Sequence, residues 1–186
     1  GDHRDLHSFP TRRSSDLFIK DDSIGKILRL SYASRNGPLR KIKIKLEIDT
    51  NPPGGGEFET RYISFPAVSG ITTETLPTML AGKCHALLCR PYEKGRDWYD
   101  FLWYMARKTP VNYTRLSAAL NQHGPWQGKG IVVDKAWFVA EMQRRIEAAD
   151  WTRAREDVAP FISRNEQRTL EAWGTGLFLS ALNWLP

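Results

Sequence analysis

The chain changes its hydrophobic rhythm once. In "KIKIKLEI", residues 41–48, charged and branched apolar residues alternate, the period of a strand with one wet face. "KILRLSYA", residues 26–33, reads as a neighbouring strand. Between them "SRNGPLR" holds Asn36-Gly37 before Pro38, a turn signal. "NPPGGGE", residues 51–57, predicts a loop, because proline ends ladder bonding and three glycines resist order. "TRYISF", residues 60–65, predicts a strand that returns along the first. From Leu76 the apolar spacing lengthens to three and four. Thr75 is placed to cap a helix and Pro77 falls in its first turn, so "LPTMLAGKCHALLCR" predicts a helix to Arg90. "GRDWYDFLWYMARK" predicts a second, ended by Thr109-Pro110. Further helices are expected at 113–122, 135–149, 152–161 and 166–182. The last carries Leu170, Trp173, Leu177 and Phe178 as a core-facing stripe. Strands first and helices afterwards predict an α+β fold.

Residues 1–17, "GDHRDLHSFPTRRSSDL", carry neither period. They hold no apolar run for a signal peptide, and their charges are too scattered for an amphipathic transit helix. The stretch resembles the translation of a common short-read sequencing adapter. It is read as a non-native leader, with the natural sequence beginning near Phe18, inside a gene. The expected organisation is therefore a leader at 1–17, the remnant of a β-sheet at 18–75 and a helical region at 76–186. In the leader Arg4, Arg12 and Arg13 balance Asp2, Asp5 and Asp16, so the net charge of +6 belongs to the rest of the chain. A mild basic excess suits a polyanionic partner such as a nucleotide or RNA. No apolar run approaches membrane-spanning length. The two cysteines, Cys84 and Cys89, share one predicted helix and are poorly placed to bridge. A reducing, cytoplasmic setting fits them.

Three features depart from simple core-and-surface patterning. Glu47 falls between two apolar residues near the end of its strand. Lys83 takes the place of an apolar residue in the stripe formed by Leu76, Met79, Leu80 and Leu87. A buried lysine is costly unless it is paired or faces a cleft; the alternative is a packed stem with the ammonium in water. Asp97 and Asp100 are three apart on one helix face, at the edge of the Trp98, Phe101, Leu102 and Met105 stripe, with Lys94 and Arg96 before them. Acids also occur in a helix's first turn simply to complement its dipole. Carboxylates that hold Mg²⁺ and cations that hold phosphates together suit phosphoryl or nucleotidyl transfer. His85 and the cysteines supply too few ligands for a metal site and fit core positions better.

"KIKIKLEIDTNPPGG", "LAGKCHALLCR" and "KGRDWYDFLWY" resemble the AbiEii/AbiGii toxin family of nucleotidyltransferases. The resemblance covers most of residues 41–184. It implies a partial polymerase-beta-like nucleotidyltransferase sheet of antiparallel strands, followed by a C-terminal helical bundle. It also implies transfer of NMP from an NTP to an acceptor such as tRNA, with Mg²⁺, in a toxin–antitoxin or phage-defence system that includes a cognate antitoxin. On that basis Glu47 matches a strand-borne carboxylate that ligates metal, and Lys83 matches a motif lysine near the nucleotide phosphates. Asp97 or Asp100 matches the last acidic motif, and Lys94 and Arg96 join Lys83 as nucleotide contacts. The family begins with a Gly-Gly/Ser motif and an Asp-x-Asp pair, and residues 18–39 contain neither. Asp21-Asp22 is an adjacent pair whose side chains would face opposite ways on a strand. The chain is therefore expected to be an inactive fragment of the enzyme. From a different class, a non-catalytic RNA- or partner-binding helical module would account for the abundant Tyr, Trp and Arg, although no RNA-binding signature is present.

Overall fold

In a computed structural model, residues 16–20, 23–34 and 37–186 are described, with side chains from Ile44 onward. Most of the leader, residues 1–15, together with Asp21, Asp22 and Asn36, lies outside the described residues. The chain divides into two compact units, with the break between Pro52 and Pro53.

The first unit contains an antiparallel sheet of β1 (Asp16–Lys20), β2 (Ser23–Ser34) and β3 (Gly37–Asp49), in that order. β3 runs further toward its start than the pattern predicts. Its pairing with β2 shifts register between Tyr32 and Ser34, and Gly25 stands opposite Glu47. Ile44, Leu46 and Ile48 share one face, as strand alternation requires, and all three are exposed.

The second unit opens with a hairpin and continues in helices. β4 (Phe58–Ile63) pairs antiparallel with β5 (Ser69–Glu74), not with the first strand as expected. The short connection at 64–68 makes the local hairpin the cheaper partner for β4, since a brief loop costs little closure entropy. The β5 segment "SGITTE" is rich in β-branched residues, which favour a pleated surface. The glycine loop before β4 has no regular structure, yet it is tied down. Gly55 has φ +76°, and a Cβ there would lie 2.8 Å from Thr114 Cγ2. The Asn112 amide donates to the Gly55 carbonyl at 2.9 Å, and the Glu57 N–H donates to Thr78 Oγ1 at 3.1 Å.

Seven α-helices follow: α1 (Leu76–Cys89), α2 (Gly95–Ala106), α3 (Tyr113–Gln122), α4 (Lys135–Glu147), α5 (Trp151–Val158), α6 (Arg164–Gln167) and α7 (Thr175–Leu182). Asn112, Asp134 and Asp150 cap α3, α4 and α5 through side-chain oxygens that accept from N3 amides. The helix expected over 166–182 is broken. A 3-10 turn, Arg168–Ala172, follows α6, and Trp173 and Gly174 are extended before α7 begins. Gly174 and Gly176 weaken helix propagation there, while Leu170, Trp173 and Phe178 remain buried as the stripe predicts. The core gathers Leu80, Ala81 and Cys84 of α1 with Trp98, Phe101 and Met105 of α2, and with Phe138, Met142 and Ile146 of α4. At its centre Trp98 meets Trp151 and Phe178, at centroid distances of 5.0 and 5.2 Å, and those two rings stack at 4.2 Å. Strands followed by a helical region make this an α+β protein.

Candidate functional site: a lysine held between two aspartates

Helices α1 and α2 lie side by side and bring together three of the residues singled out in the sequence. The Lys83 amine lies 2.6 Å from Asp100 Oδ2 and 3.8 Å from Asp97 Oδ1. Its side chain keeps 40% exposure, so the lysine is neither buried alone nor free in water. Asp97 is more buried than a stripe-edge position suggests, its side chain retaining 5% exposure. A carboxylate at that depth needs strong partners. It has a second cation, because Arg90 donates to Asp97 Oδ2. Arg90 escaped the sequence reading. It lies about two turns beyond Lys83, on the same side of the helix, and that spacing was the available signal.

Two clefts in the second unit share Lys83 and Asp97. One, of about 350 Å³, is lined by Lys83, Lys94, Arg96, Asp100, Phe161 and Glu166 among others. The other, of about 340 Å³, lies against Glu74, Arg90 and Tyr104. The acids of the first cleft are already engaged: Asp97 and Asp100 by the cations above, and Glu166 by the Ser163 N–H and the Tyr99 hydroxyl. Hydrogen bonding to the Ser163 side chain first, then to the Ser163 N–H and the Tyr99 hydroxyl, holds the Glu166 carboxyl below its usual range. Lys94, by contrast, has no side-chain partner among the described residues. Arg96 approaches Asp157 only to 4.0 Å and lies over the Phe161 ring at 4.2 Å. Lys94 and Arg96 are therefore not ion-paired with the cleft's own acids, which leaves their donors available to an anionic ligand.

Gly95 sets this geometry from beneath. A Cβ at that position would stand 1.9 Å from the Ala154 carbonyl oxygen, so only glycine lets α2 seat against α5. The neighbouring Glu93 is held by Arg145 at 2.8 Å and by the Trp98 indole N–H at 3.0 Å. Burial alone would raise its carboxyl, and those hydrogen bonds outweigh burial and lower it.

Glu47 belongs to the first unit, where it shares a face with Lys45 and pairs with it at 2.7 Å. His85 is half-buried, and burial lowers its pKa; its Nε2 lies 3.2 Å from the His123 carbonyl. Cys84 is fully buried, and burial pushes both thiols up, Cys89 to about 11. Among the described residues no group of three or more His, Cys, Asp or Glu could hold a metal. Asp97 and Asp100, already paired with Lys83 and Arg90, do not fit Mg²⁺ by themselves. No helix among the described residues is long and apolar enough to cross a membrane.

The charged cleft against α1 and α2 is thus carried by an α+β chain. The family model of the nucleotidyl transferase AbiEii toxin, of type IV toxin–antitoxin systems, matches residues 4–175. The chain belongs to that family, and the match takes in residues 4–17, the stretch expected from the sequence to be a leader. A search of curated proteins and a search of solved structures each gave no match.

Proposed function

We propose that the second unit supplies the phosphate-binding side of a nucleotidyltransferase, which transfers NMP from an NTP to an acceptor such as tRNA. The observation that carries this reading is the placement of Lys83. Two carboxylates fix its ammonium, yet it stays 40% exposed on a cleft wall beside Lys94 and Arg96. A fixed cation of that kind can meet a polyphosphate without first losing side-chain freedom. Asp100 and Asp97 hold the amine in place, and Arg90 balances the buried carboxylate. Lys94 and Arg96 extend the positive wall, the first as a point charge and the second as a fork.

Glu47 as a ligand to Mg²⁺ is part of the same proposal and rests on the family resemblance. The metal would stabilise the charge that develops on the transferred phosphoryl group. As given, the chain is expected to bind NTP weakly and to give no transfer, because two-metal chemistry needs carboxylates that bridge both ions.

The test has two parts. NTP binding should fall as salt rises, and Lys83→Ala should weaken it roughly 10-fold or more, the worth of one hydrogen bond to a charged group. Labelled NTP, Mg²⁺ and total tRNA should give no labelled RNA with this chain. Equal NTP affinity in Lys83→Ala would remove Lys83 from the phosphate site. Labelled RNA would show that the catalytic carboxylates have been misassigned.

A further inference from the structure

The cleft beside Lys83 has a second wall that phosphate binding does not use. It is formed by Val158 at the end of α5, Phe161 in the 3-10 turn Ala159–Phe161, and Ile162. Val158 is buried in the core, whereas Phe161 stands 61% exposed at the mouth of the cleft. A lone exposed phenylalanine is ordinary on a protein surface. Three observations set this one apart.

Its backbone is held on both sides. Pro160 restricts the turn. The Gln167 amide donates to the Ala159 carbonyl at 2.9 Å, tying α6 back to the same corner. α6 is fixed in turn by the Ser163–Glu166 capping box, and the Tyr99 hydroxyl donates to Glu166 at 3.3 Å, which joins that corner to α2. The ring therefore stands on a supported corner at little entropic cost to a ligand.

Its neighbour is a cation with spare donors. The Arg96 guanidinium lies 4.2 Å from the ring centroid, a cation–π distance. Its salt-bridge partner Asp157 is at 4.0 Å, and Asp157 Oδ2 makes no hydrogen bond among the described residues. The guanidinium thus lies over one face of the Phe161 ring, and the ring's exposure leaves the rest of it open to a ligand.

Its position adds an aromatic face, beside Arg96 and on an apolar wall, to the cleft that also holds the fixed ammonium of Lys83 and the Lys94 side chain. The volume of about 350 Å³ lies within the range of small-molecule sites. A ligand that matches this combination carries both a polyanion and a flat, π-bearing, weakly polar group.

We infer that Phe161, supported by Arg96, is the platform on which the nucleobase of a nucleoside triphosphate stacks while its phosphates meet Lys83 and Lys94. This rests on the phosphate reading above, and a probe that lacks a base separates the two. Inorganic tripolyphosphate reports the cationic wall alone; ATP reports the wall and the platform.

Titrations of the whole chain with both probes test the assignment. Phe161→Ala should weaken ATP binding about 5- to 100-fold, the range for loss of one base–aromatic stack. Tripolyphosphate binding should stay unchanged. Phe161→Tyr should keep ATP affinity, and Phe161→Leu, which retains an apolar wall without a π face, should behave like the alanine variant. Thermal melts of the three variants confirm that the exposed position leaves the fold intact. Equal weakening of both probes, or full ATP affinity in Phe161→Leu, would overturn the platform. Failure of the unsubstituted chain to bind tripolyphosphate would overturn the phosphate reading and the platform with it. Loss confined to a short oligoribonucleotide, with ATP unaffected, would also overturn it and assign the ring to an RNA strand.

Discussion

The same substitution at two glycines should change stability in opposite directions. At Gly95 an added methyl would lie 1.9 Å from the Ala154 carbonyl oxygen and 2.9 Å from its carbon. Real contacts of this kind essentially never fall under 3.0 Å, and a backbone oxygen cannot swing aside like the tip of a lysine. Helices α2 and α5 must therefore separate by about 1 Å at their contact, a gap that forfeits a quarter to a half of the dispersion attraction there. Overpacking of this sort costs roughly 1–3 kcal/mol, and replacing a helical glycine returns about 0.5–1 kcal/mol. Gly95→Ala should then lose about 1–2 kcal/mol, a fall in Tm of roughly 3–8 °C for a chain of this size. Gly82, in the middle of α1, is exposed and meets nothing within 4 Å. Gly82→Ala should gain about 0.5–1 kcal/mol. Urea unfolding of the two variants beside the parent chain is the assay. Matching shifts in both variants, or a parent-like midpoint for Gly95→Ala, would refute the argument that a closed contact makes glycine obligatory at position 95.

Arg145→Ala should cost roughly 3–5 kcal/mol in denaturant unfolding, because it strands Glu93 in the interior, where its side chain is 10% exposed. Glu93 has a depressed pKa in the folded protein, so its contribution is present above the ordinary value of 4.5 and is lost as pH falls below that, through the lowered one. Thermal melts from neutral to acid pH should show that loss in the parent and a shallower one in Arg145→Ala. Asp97→Ala, which leaves Arg90 without its buried partner, should destabilise by about 3 kcal/mol. Asp100→Ala, with a side chain 37% exposed, should cost less than about 1 kcal/mol on the same unfolding curves. Iodoacetamide at neutral pH should leave both raised thiols unmodified in the folded chain and label both in urea.

The helical half was largely legible because its apolar spacing is strong and its caps are polar residues where caps belong. The helix at 113–122 matches its predicted bounds, helped by Asn112 before it. The region after 163 was misread as one helix, because the buried stripe continues through a break that only Gly174 and Gly176 announce. β5 was missed since "SGITTE" offers six residues without clear alternation. Of the candidate site, Lys83 announced itself as a charge in an apolar stripe. Its answer, paired and facing a cleft, required distances between α1 and α2 that one sequence does not carry. Arg90 and Phe161 were hidden for a related reason. An arginine at a helix end and a phenylalanine near a proline are unremarkable until folding places them beside Asp97 and Arg96.

The dependence of α2 on later helices bears on when the site comes into being during synthesis. Arg145, which fixes Glu93, follows it by 52 residues, and Glu166 follows its partner Tyr99 by 67. Trp98 has its nearer ring partners in α5 and α7. When the segment bearing Lys83 and the two aspartates leaves the ribosome, the groups that seat it are still untranslated. The charged cleft is thus assembled late, once the C-terminal helices have emerged and docked. A ribosome-stalled chain that ends before α5 would carry every residue of the acid–lysine cluster and still lack its geometry.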